Sequence, residues 1–453
     1  MSETLQARTE TASYSDCVNP QWVRLLDVLQ MNVRYRHCQG AELFTEDGRR
    51  ILDFLSGYSV HVAGHNHPDI VRELKEELDR SGPAMLQSHV PELAGDLASE
   101  LCRRAGGAMK KVFFCSSGSE GIEAAIKFAR ANTGRGGLLA ARGAFHGLTC
   151  GALSLMDDPF WSGGFGDLLP ETRFVPFGDL AELEKQLATK RFAAFFLEPI
   201  QSEAGVKIPE PGYLRSVQSL CRRFGTLLVM DEVQTGMYRT GPFLAGQPAG
   251  VDPDMIVMAK ALSGGLVPVG AVLMTDSVHS SVYNSLQRSI VHTSTFSENG
   301  LSMRAGLATL GVIDRERLPE RCEILGQRLR EGLRSALSGY EMIKEVRGAG
   351  LMNGIEFTAP RSLALRIPFT AFKTIHPGML GQIVVMRLYR DHGMLTQMCG
   401  NNFMVLKACP PLVAEEEHVD RFIDAMRAVV DLMHNSSSFW TEALGLARRV
   451  VNV

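Results

Sequence analysis

Short apolar runs alternate along the chain with segments whose apolar residues recur at helical spacing, most regularly between about residues 70 and 335. Two runs, residues 227–230 and 255–259, contain no polar position, which is typical of strands buried on both faces of a parallel sheet. Such strands alternating with helices predict a mainly parallel sheet covered by helices, and therefore an α/β fold. A length of 453 residues favours a large domain with a smaller one.

Two residues with distinctive chemistry follow these runs. Asp231 follows the first run and Lys260 follows the second. Because open α/β sheets bind ligands at the carboxyl ends of their strands, we expect the two side chains to share one ligand. Pyridoxal phosphate needs a poorly solvated lysine for a Schiff base and a carboxylate that keeps its pyridine nitrogen protonated. The pair therefore predicts this cofactor and carbanion chemistry in which Lys260 also moves a proton.

Two turns add weaker signals. Ser117, Gly118 and Ser119 follow an apolar run and precede helical spacing, so their N–H and hydroxyl groups suit a phosphate. Phe145 lies in a glycine-flanked turn, where its ring could stack on a planar cofactor. Each feature alone is more often an ordinary helix N-cap or an ordinary core aromatic.

In sequence order, these segments resemble a class III (fold type I) pyridoxal-phosphate aminotransferase of the group that holds ornithine, acetylornithine and putrescine aminotransferases. The similar segments are residues 53–58, 64–68, 117–120, 145–147, 198–203, 231–236, Lys260 and 292–296. The resemblance implies a large domain over residues 70–335. It also implies a smaller α+β domain built from both chain ends, residues 1–69 and 336–453.

The resemblance also assigns roles to single residues. Those expected to contact the cofactor are Ser117, Gly118, Ser119, Phe145, His146, Asp231, Val233, Gln234, Lys260 and Thr295. Phe145 and Val233 are expected on opposite faces of the ring, and Gln234 at its phenolic oxygen. Thr295 is expected to reach the phosphate of the neighbouring subunit, which implies a homodimer with shared active sites.

The expected substrate residues are Tyr58, Leu148, Glu203 and Lys407, and two of them depart from the family pattern. Leu148 stands where related enzymes carry an arginine or a lysine, and leucine cannot bind an anion. Lys407 replaces the arginine that usually pairs with Glu203, and lysine lacks the planar fork that grips a carboxylate. Residues 83–87, which include Gln87, are more apolar than expected. The pattern favours a substrate with an apolar or bulky body.

We therefore predict a ping-pong aminotransferase that acts between an amine or amino-acid donor and an aldehyde or ketone acceptor, with a biosynthetic substrate such as a secondary metabolite or a lipid-like aldehyde. Alternatives on the same fold are a diamine or ω-amino-acid (putrescine- or ornithine-type) aminotransferase, a glutamate-semialdehyde-type aminomutase, and a decarboxylase or racemase. A non-catalytic regulator that binds an aldehyde or a partner protein is a further alternative, but it would need neither Lys260 nor Asp231.

Composition and charge limit the classes of partner and the cellular compartment that we expect. A formal net charge of −3 argues against nucleic acid or an anionic membrane as the main partner. No apolar run approaches the roughly 18 residues needed to span a bilayer, and the first ten residues do not form a signal peptide. Nine cysteines without a Cys-x-x-Cys pattern indicate a reducing compartment, so we predict a cytoplasmic protein. No metal site is expected at His61, His65 and His67.

Three segments outside these motifs carry separate predictions. About the first fifteen residues are predicted to be a mobile arm. Residues 363–390 are predicted either to line the substrate entrance or to form a solvated surface insertion with a helix from Leu380 to Arg390. The tail, residues 438–451, is predicted to touch a membrane surface, a lipid substrate or, preferably, its own dimer.

Overall fold

The computed structural model of the protein describes residues 14–86, 88–375 and 379–451. Residues 1–13, which make up nearly all of the predicted mobile arm, lie outside the described residues, as does Gln87 of the predicted apolar segment. The strands are β1 Tyr35–Gln39, β2 Glu42–Thr45, β3 Arg50–Asp53, β4 Lys111–Cys115, β5 Gly137–Ala141, β6 Thr172–Val175, β7 Phe192–Leu197, β8 Leu227–Asp231, β9 Met255–Met258, β10 Gly270–Met274, β11 Ile343–Ala349, β12 Met352–Phe357, β13 Met394–Leu395, β14 Gln397–Cys399 and β15 Asn402–Ala408.

Helices connect and cover these strands. They are α1 Pro20–Val28, α2 Pro68–Asp79, α3 Glu92–Ala105, α4 Gly118–Thr133, α5 Cys150–Leu153, α6 Pro159–Ser162, α7 Leu180–Leu187, α8 Tyr213–Phe224, α9 Asp276–Val282, α10 Gly300–Arg315, α11 Leu318–Leu337, α12 Leu363–Ile375, α13 Met379–His392, α14 Glu416–Asn435 and α15 Ser437–Val451. A short turn, Ser56–Ser59, has positive φ angles, and 3₁₀ turns lie at Gln247–Ala249, Lys260–Ser263 and Leu286–Arg288.

The largest sheet has seven strands in the order β4-β10-β9-β8-β7-β5-β6. Its strands β6, β5, β7, β8 and β9 run parallel, whereas β10 is antiparallel to both of its neighbours. Successive residues of β5 pack into two apolar cores, with Leu139 and Ala141 in one and Leu138 and Ala140 in the other. Burial on both faces explains the uninterrupted apolar runs and confirms the predicted, mainly parallel sheet.

Two smaller sheets are built from the ends of the chain. In the first, with the order β1-β2-β3-β13, the C-terminal strand β13 pairs in parallel with the N-terminal strand β3. The second, with the order β11-β12-β15-β14, is antiparallel throughout. Strand pairing thus joins residues about 340 positions apart, since Leu52 lies opposite Met394. Domain boundaries at residues 69 and 335 remain a prediction.

Helix α13 corrects the prediction for residues 363–390. The helix predicted from Leu380 to Arg390 is present, but Leu380, Ile383 and Val384 are buried, so this helix is not solvated. In α12, by contrast, Leu363 and Ile367 are exposed, as expected for a surface segment. The basic residues that suggested a surface, Arg387 and Arg390, both form ion pairs with Glu442. None of the described residues in this segment lines the cavity that contains Lys260, and a contact with the substrate entrance remains a prediction.

Helix α15 corrects the prediction for the tail. Phe439, Trp440, Ala443 and Leu446 are buried against the rest of the same chain. The Trp440 indole N–H donates to the Met433 carbonyl at 2.9 Å, which fixes the start of the helix. These four side chains are therefore covered within the chain, and they are not left for a membrane, a lipid or a second copy. Within the described residues, no helix combines the length and the apolar character needed to cross a membrane.

Candidate active site

The two residues predicted at strand ends meet at one edge of the large sheet. Asp231 is the last residue of β8 and lies opposite Val257 of the parallel neighbour β9. Lys260 follows the end of β9, and its positive φ of 46° turns the chain out of the strand. A lysine at such a φ is uncommon and costs backbone energy, so the surrounding fold must hold it there. Both residues line a cavity of about 530 Å³.

Most of the residues predicted to bind the cofactor line this same cavity, together with the predicted substrate residue Glu203. They are Ser117, Gly118, Ser119, Phe145, His146, Asp231, Val233, Gln234, Lys260 and Glu203. Thr295, Tyr58, Leu148 and Lys407 are not part of the cavity wall. The structure thus brings together side chains from residue 117 to residue 260, as a site formed at the edge of one sheet requires.

The environment of Lys260 favours its neutral form. Burial lowers the pKa of the Lys260 ammonium, because a charged group loses hydration there, and the negative charges of Asp231 and Glu203 only partly oppose the shift. A larger fraction of the amine is therefore unprotonated near neutral pH than for an exposed lysine. This neutral form can act as a nucleophile and can accept a proton.

A buried chain of polar groups holds Asp231. Its Oδ2 lies 2.7 Å from His146 Nδ1, and its Oδ1 accepts the backbone N–H of Val233 at 3.0 Å. Burial disfavours a charge on His146, but the hydrogen bond and charge of Asp231 outweigh it and raise the pKa of the imidazole. His146 and the Val233 N–H thus hold the Asp231 carboxylate in one orientation, from which it can pair with a cationic ring nitrogen.

Glu198 lies behind this pair and is also buried. It accepts the backbone N–H groups of Phe145 at 3.0 Å and Ser202 at 3.3 Å, so it fixes the turn that carries the aromatic ring. Burial raises the pKa of Glu198 to about 7, and the charge of Asp231 adds to that shift while His146 opposes it. Glu198 therefore carries only part of a negative charge near neutral pH.

The start of α4 forms a closely packed anion cradle. Ser117 caps the helix by accepting the Glu120 N–H at 3.2 Å, and Glu120 in turn accepts the Ser116 N–H at 2.6 Å. A Cβ on Gly147, whose φ is 122°, would overlap the Ser119 side chain, so only glycine lets the two turns meet. The first N–H groups of a helix have no partner within the helix and favour a negative ligand.

Glu203 and Lys407 form a buried ion pair, as the resemblance implied for a cation in this position. Lys407 has no exposed surface, and its ammonium also donates to the Gln234 side-chain oxygen at 3.3 Å. Burial disfavours both charges, yet the mutual attraction lowers the pKa of Glu203 and raises that of Lys407. The Lys407 ammonium lies 5.2 Å from the centre of the Tyr58 ring, which places the predicted substrate tyrosine beside the pair.

Two predicted residues lie apart from the cavity. Leu148 is 54% exposed, and its backbone N–H donates to Ser119 Oγ at 3.3 Å. Thr295 is exposed and lines a second cavity of about 1030 Å³, together with the apolar residues Met85 and Leu86. Within one chain, therefore, Thr295 does not reach the Lys260 cavity, and its predicted contact needs a second copy.

Two residues that support the site could not be predicted from the sequence. Trp161 packs edge-to-face on Phe145, with ring centres 5.2 Å apart, and its indole N–H donates to Asn401 at 2.7 Å. The Asn401 amide donates in turn to the Gly143 carbonyl at 2.9 Å. Trp161 and Asn401 are 240 positions apart, so no local pattern could pair them.

The residues present fit pyridoxal phosphate. One cavity is lined by a lysine amine, a paired carboxylate, the Phe145 ring, the Val233 side chain and the start of α4, and its volume suits a cofactor. Gly118 lets the start of α4 pack closely against Val233, since a Cβ on Gly118 would lie 3.0 Å from the Val233 methyl groups. Ser117, Gly118 and Ser119 would hold the phosphate, and Asp231 would meet the ring nitrogen.

Comparison with known proteins agrees with this assignment. The sequence profile described as aminotransferase class-III matches residues 26–430. The aminotransferase PigE of a Serratia species is 35% identical over 457 residues, which cover 94% of this chain and 54% of PigE. The chain thus spans about half the length of that relative. The acetylornithine aminotransferase of Mycolicibacterium smegmatis is 38% identical over 394 residues, covering 87% of this chain and 92% of the relative.

Among solved structures, the ornithine aminotransferase of Toxoplasma gondii, which holds pyridoxal phosphate at partial occupancy in its active site, is similar with a TM-score of 0.78. That similarity covers 89% of this chain and 91% of the other at 30% sequence identity. The family match over most of the length, with Lys260 and Asp231 in one cavity, shows that the chain belongs to the class-III aminotransferases, enzymes that use pyridoxal phosphate.

Proposed function

We propose that the protein transfers an amino group between an amine donor and an aldehyde or ketone acceptor in two half-reactions, and that one of these substrates has an apolar or bulky body. Such a compound would be a biosynthetic intermediate of the secondary-metabolite or lipid-like class. Small dicarboxylates would be poor substrates.

The observation that carries this proposal is the lack of a free cation around the cavity. Of the described residues that line it, Lys260 and His146 are the basic ones, and His146 is engaged by Asp231. Lys407 is held by Glu203 outside the wall, and Leu148 stands where related enzymes carry a cation. A substrate carboxylate would therefore lose hydration without gaining a partner, which disfavours its binding.

Each residue has a defined task in the proposed reaction. Pyridoxal phosphate, when bound, supplies an aldehyde that bonds amines and a ring that accepts electrons. The Lys260 amine accepts and returns the proton of the reacting carbon, because its lowered pKa leaves it partly unprotonated. Asp231, held by His146, balances a positive charge on the ring nitrogen, and Phe145 keeps water away from the ring.

A second candidate is an ω-amino donor such as an ornithine derivative or a diamine. The 38% identity to an acetylornithine aminotransferase favours it. It differs from the first candidate in requiring recognition of a polar group at the far end of the substrate. Adding single amine donors of both kinds, as described below, separates the two candidates.

We also propose that the active unit is a cytoplasmic homodimer. The cavity that contains Thr295 is flanked by exposed apolar side chains, including Leu86, Val90, Leu286 and Ile290, which is typical of a surface covered by another chain. All nine cysteines are free thiols, as expected in a reducing compartment.

Mixing inactive Lys260→Ala with weakened Thr295→Ala subunits should restore activity if the sites are shared, and additive activity would argue against sharing.

The direct test is an absorbance spectrum of the cofactor-loaded protein during additions of single amines and carbonyl compounds. A competent donor should replace the visible band of the lysine-bound cofactor with that of pyridoxamine phosphate, and an acceptor aldehyde should restore it. Lys260→Ala is the matched control, and it should give neither change. Release of carbon dioxide, loss of optical activity without amino transfer, or turnover without any acceptor would contradict the proposed reaction.

A further inference from the structure

A row of aromatic rings leads from the cavity wall to the surface. Phe145 lines the cavity and packs edge-to-face on Trp161, with ring centres 5.2 Å apart. Trp161 contacts Phe160 at 4.9 Å, and Phe160 contacts Phe403 at 6.3 Å, both with nearly perpendicular rings. We call Trp161, Phe160 and Phe403 the aromatic lip.

The aromatic lip is fixed in place by polar contacts. The Trp161 indole donates its N–H to Asn401, and Asn401 donates to the Gly143 carbonyl of the turn that carries Phe145. Gly400, next to Asn401, donates its backbone N–H to the Glu203 carboxylate at 2.7 Å. The indole has no polar donor left to satisfy, so the surface that it offers is apolar and held in one orientation.

The outer rings of the lip are open to solvent. Phe160 is 67% exposed and Phe403 is 38% exposed. Aromatic side chains in this position lose the benefit of burial until something apolar covers them. The row of rings begins at Phe145 in the cavity wall. A molecule that already lies in the cavity can therefore extend onto the aromatic lip and cover it.

We propose that the aromatic lip binds the apolar tail of the substrate, a chain or ring system of several carbons that extends outward from the reacting carbon past Phe145. The inference rests on the proposed function and names the substrate class: an amphiphilic amine or aldehyde with its polar reacting group at one end. Each methylene group that leaves water on the lip should strengthen binding about fourfold.

The test compares aldehydes that differ only in tail length. For the wild-type holoenzyme, kcat/KM should rise from butanal through hexanal to octanal. Phe160→Ala should lower the value for octanal about sixteenfold, as expected from the loss of contact with about two methylene groups, and should change that for butanal less than about twofold. Phe165→Ala is the matched control, because Phe165 is exposed just after α6 and makes none of the ring contacts of the lip, and it should change neither value.

A second readout needs no turnover. The protein has three tryptophans, and a saturable change in tryptophan emission on addition of 1-octanol that disappears in Trp161→Phe would place an apolar tail at the lip. The change should need a higher concentration of 1-butanol than of 1-octanol, and a higher concentration of 1-octanol in Phe160→Ala than in the wild type.

Several outcomes would overturn the proposal. These are a wild-type kcat/KM that does not increase with tail length, an equal loss for butanal and octanal in Phe160→Ala, and a change of oligomeric state in Phe160→Ala, which would make the lip a protein interface. Failure of the proposed function is distinct from these results, because it would appear as no amino transfer to butanal or to any other carbonyl compound.

Discussion

The two ends of the active-site cavity are built in different ways. At the cofactor end, Asp231 and Lys260 follow neighbouring strands of one sheet, and Ser117 begins the helix after another strand. At the substrate end, Glu203 and Lys407 meet across 204 positions of sequence, on a loop and on a strand of a smaller sheet.

The electrostatics of the two ends differ in the same way. The cofactor end contains a lysine whose pKa is lowered by burial, so its amine is available for chemistry. At the substrate end, the lysine pKa is raised, because Glu203 holds the charge of Lys407 in a closed pair. The sheet thus positions the residues proposed for the reaction, whereas the residues proposed to select the substrate are brought together from distant segments.

The largest effect is expected at the cofactor end, from Asp231→Asn. The amide cannot balance a positive ring nitrogen, so kcat should fall at least about a hundredfold while the fold is kept. Asp254→Asn is a suitable control, because Asp254 accepts the Leu228 N–H at the opposite end of the same strands and should leave kcat near wild type. Wild-type turnover in Asp231→Asn would show that the carboxylate does not have this role.

The substrate end should instead respond in stability. Lys407→Met leaves Glu203 buried without its cation, which should lower the free energy of unfolding by about 3–5 kcal/mol. The double variant Lys407→Met with Glu203→Gln should recover most of that loss, since the buried charge is gone. Chemical denaturation measures both changes.

An exposed pair provides the matched control for this measurement. Arg328 and Asp420 form an ion pair at the surface, so Arg328→Met should cost less than about 1 kcal/mol. If Lys407→Met lowers the free energy of unfolding no more than Arg328→Met does, Glu203 and Lys407 do not form the closed, buried ion pair on which the comparison depends.

The cofactor end could be predicted from the sequence because its signals are local. Asp231 and Lys260 each follow an apolar run, and parallel strands bring such positions to one edge of a sheet. The substrate residues depended on a family resemblance, since no periodicity links Glu203 to Lys407. Trp161 and Asn401 could not be predicted at all, because a hydrogen bond across 240 positions leaves no pattern in either segment.

The errors at the C-terminal end have one physical cause. Residues 363–390 contain arginines that suggest a solvated surface, and the tail contains an apolar stripe that suggests an external partner. In the structure the two segments contact each other. Arg387 and Arg390 pair with Glu442 of the tail helix, and the apolar face of that helix is buried. Composition within a single segment cannot show that another segment satisfies both its charges and its apolar residues.

A smaller, selective effect is expected from Leu148→Arg, at an exposed position whose backbone N–H bonds to Ser119 of the cavity wall. The new guanidinium offers a carboxylate two parallel hydrogen bonds, so kcat/KM for a small oxoacid such as 2-oxoglutarate should rise about tenfold. The value for an apolar aldehyde should fall. Leu148→Gln tests polarity without charge and should improve the oxoacid little. If neither substrate preference changes in Leu148→Arg, position 148 does not determine which substrate is accepted.

The smallest effect is expected from Glu198→Gln, and it should appear only above a certain pH. Below about pH 4.5 the carboxyl is protonated in both the folded and the unfolded chain, so it contributes nothing to the pH dependence of stability. Between that pH and about 7, the raised pKa of Glu198 keeps the proton on the folded chain while the unfolded chain loses it, so stability falls as pH rises. Glu198→Gln removes this loss, and thermal unfolding should show a higher midpoint than wild type at pH 8 but not at pH 4.5. A variant that is less stable than wild type at both pH values would show that the hydrogen bonds to Phe145 and Ser202, not the cost of burying a charge, determine the contribution of Glu198.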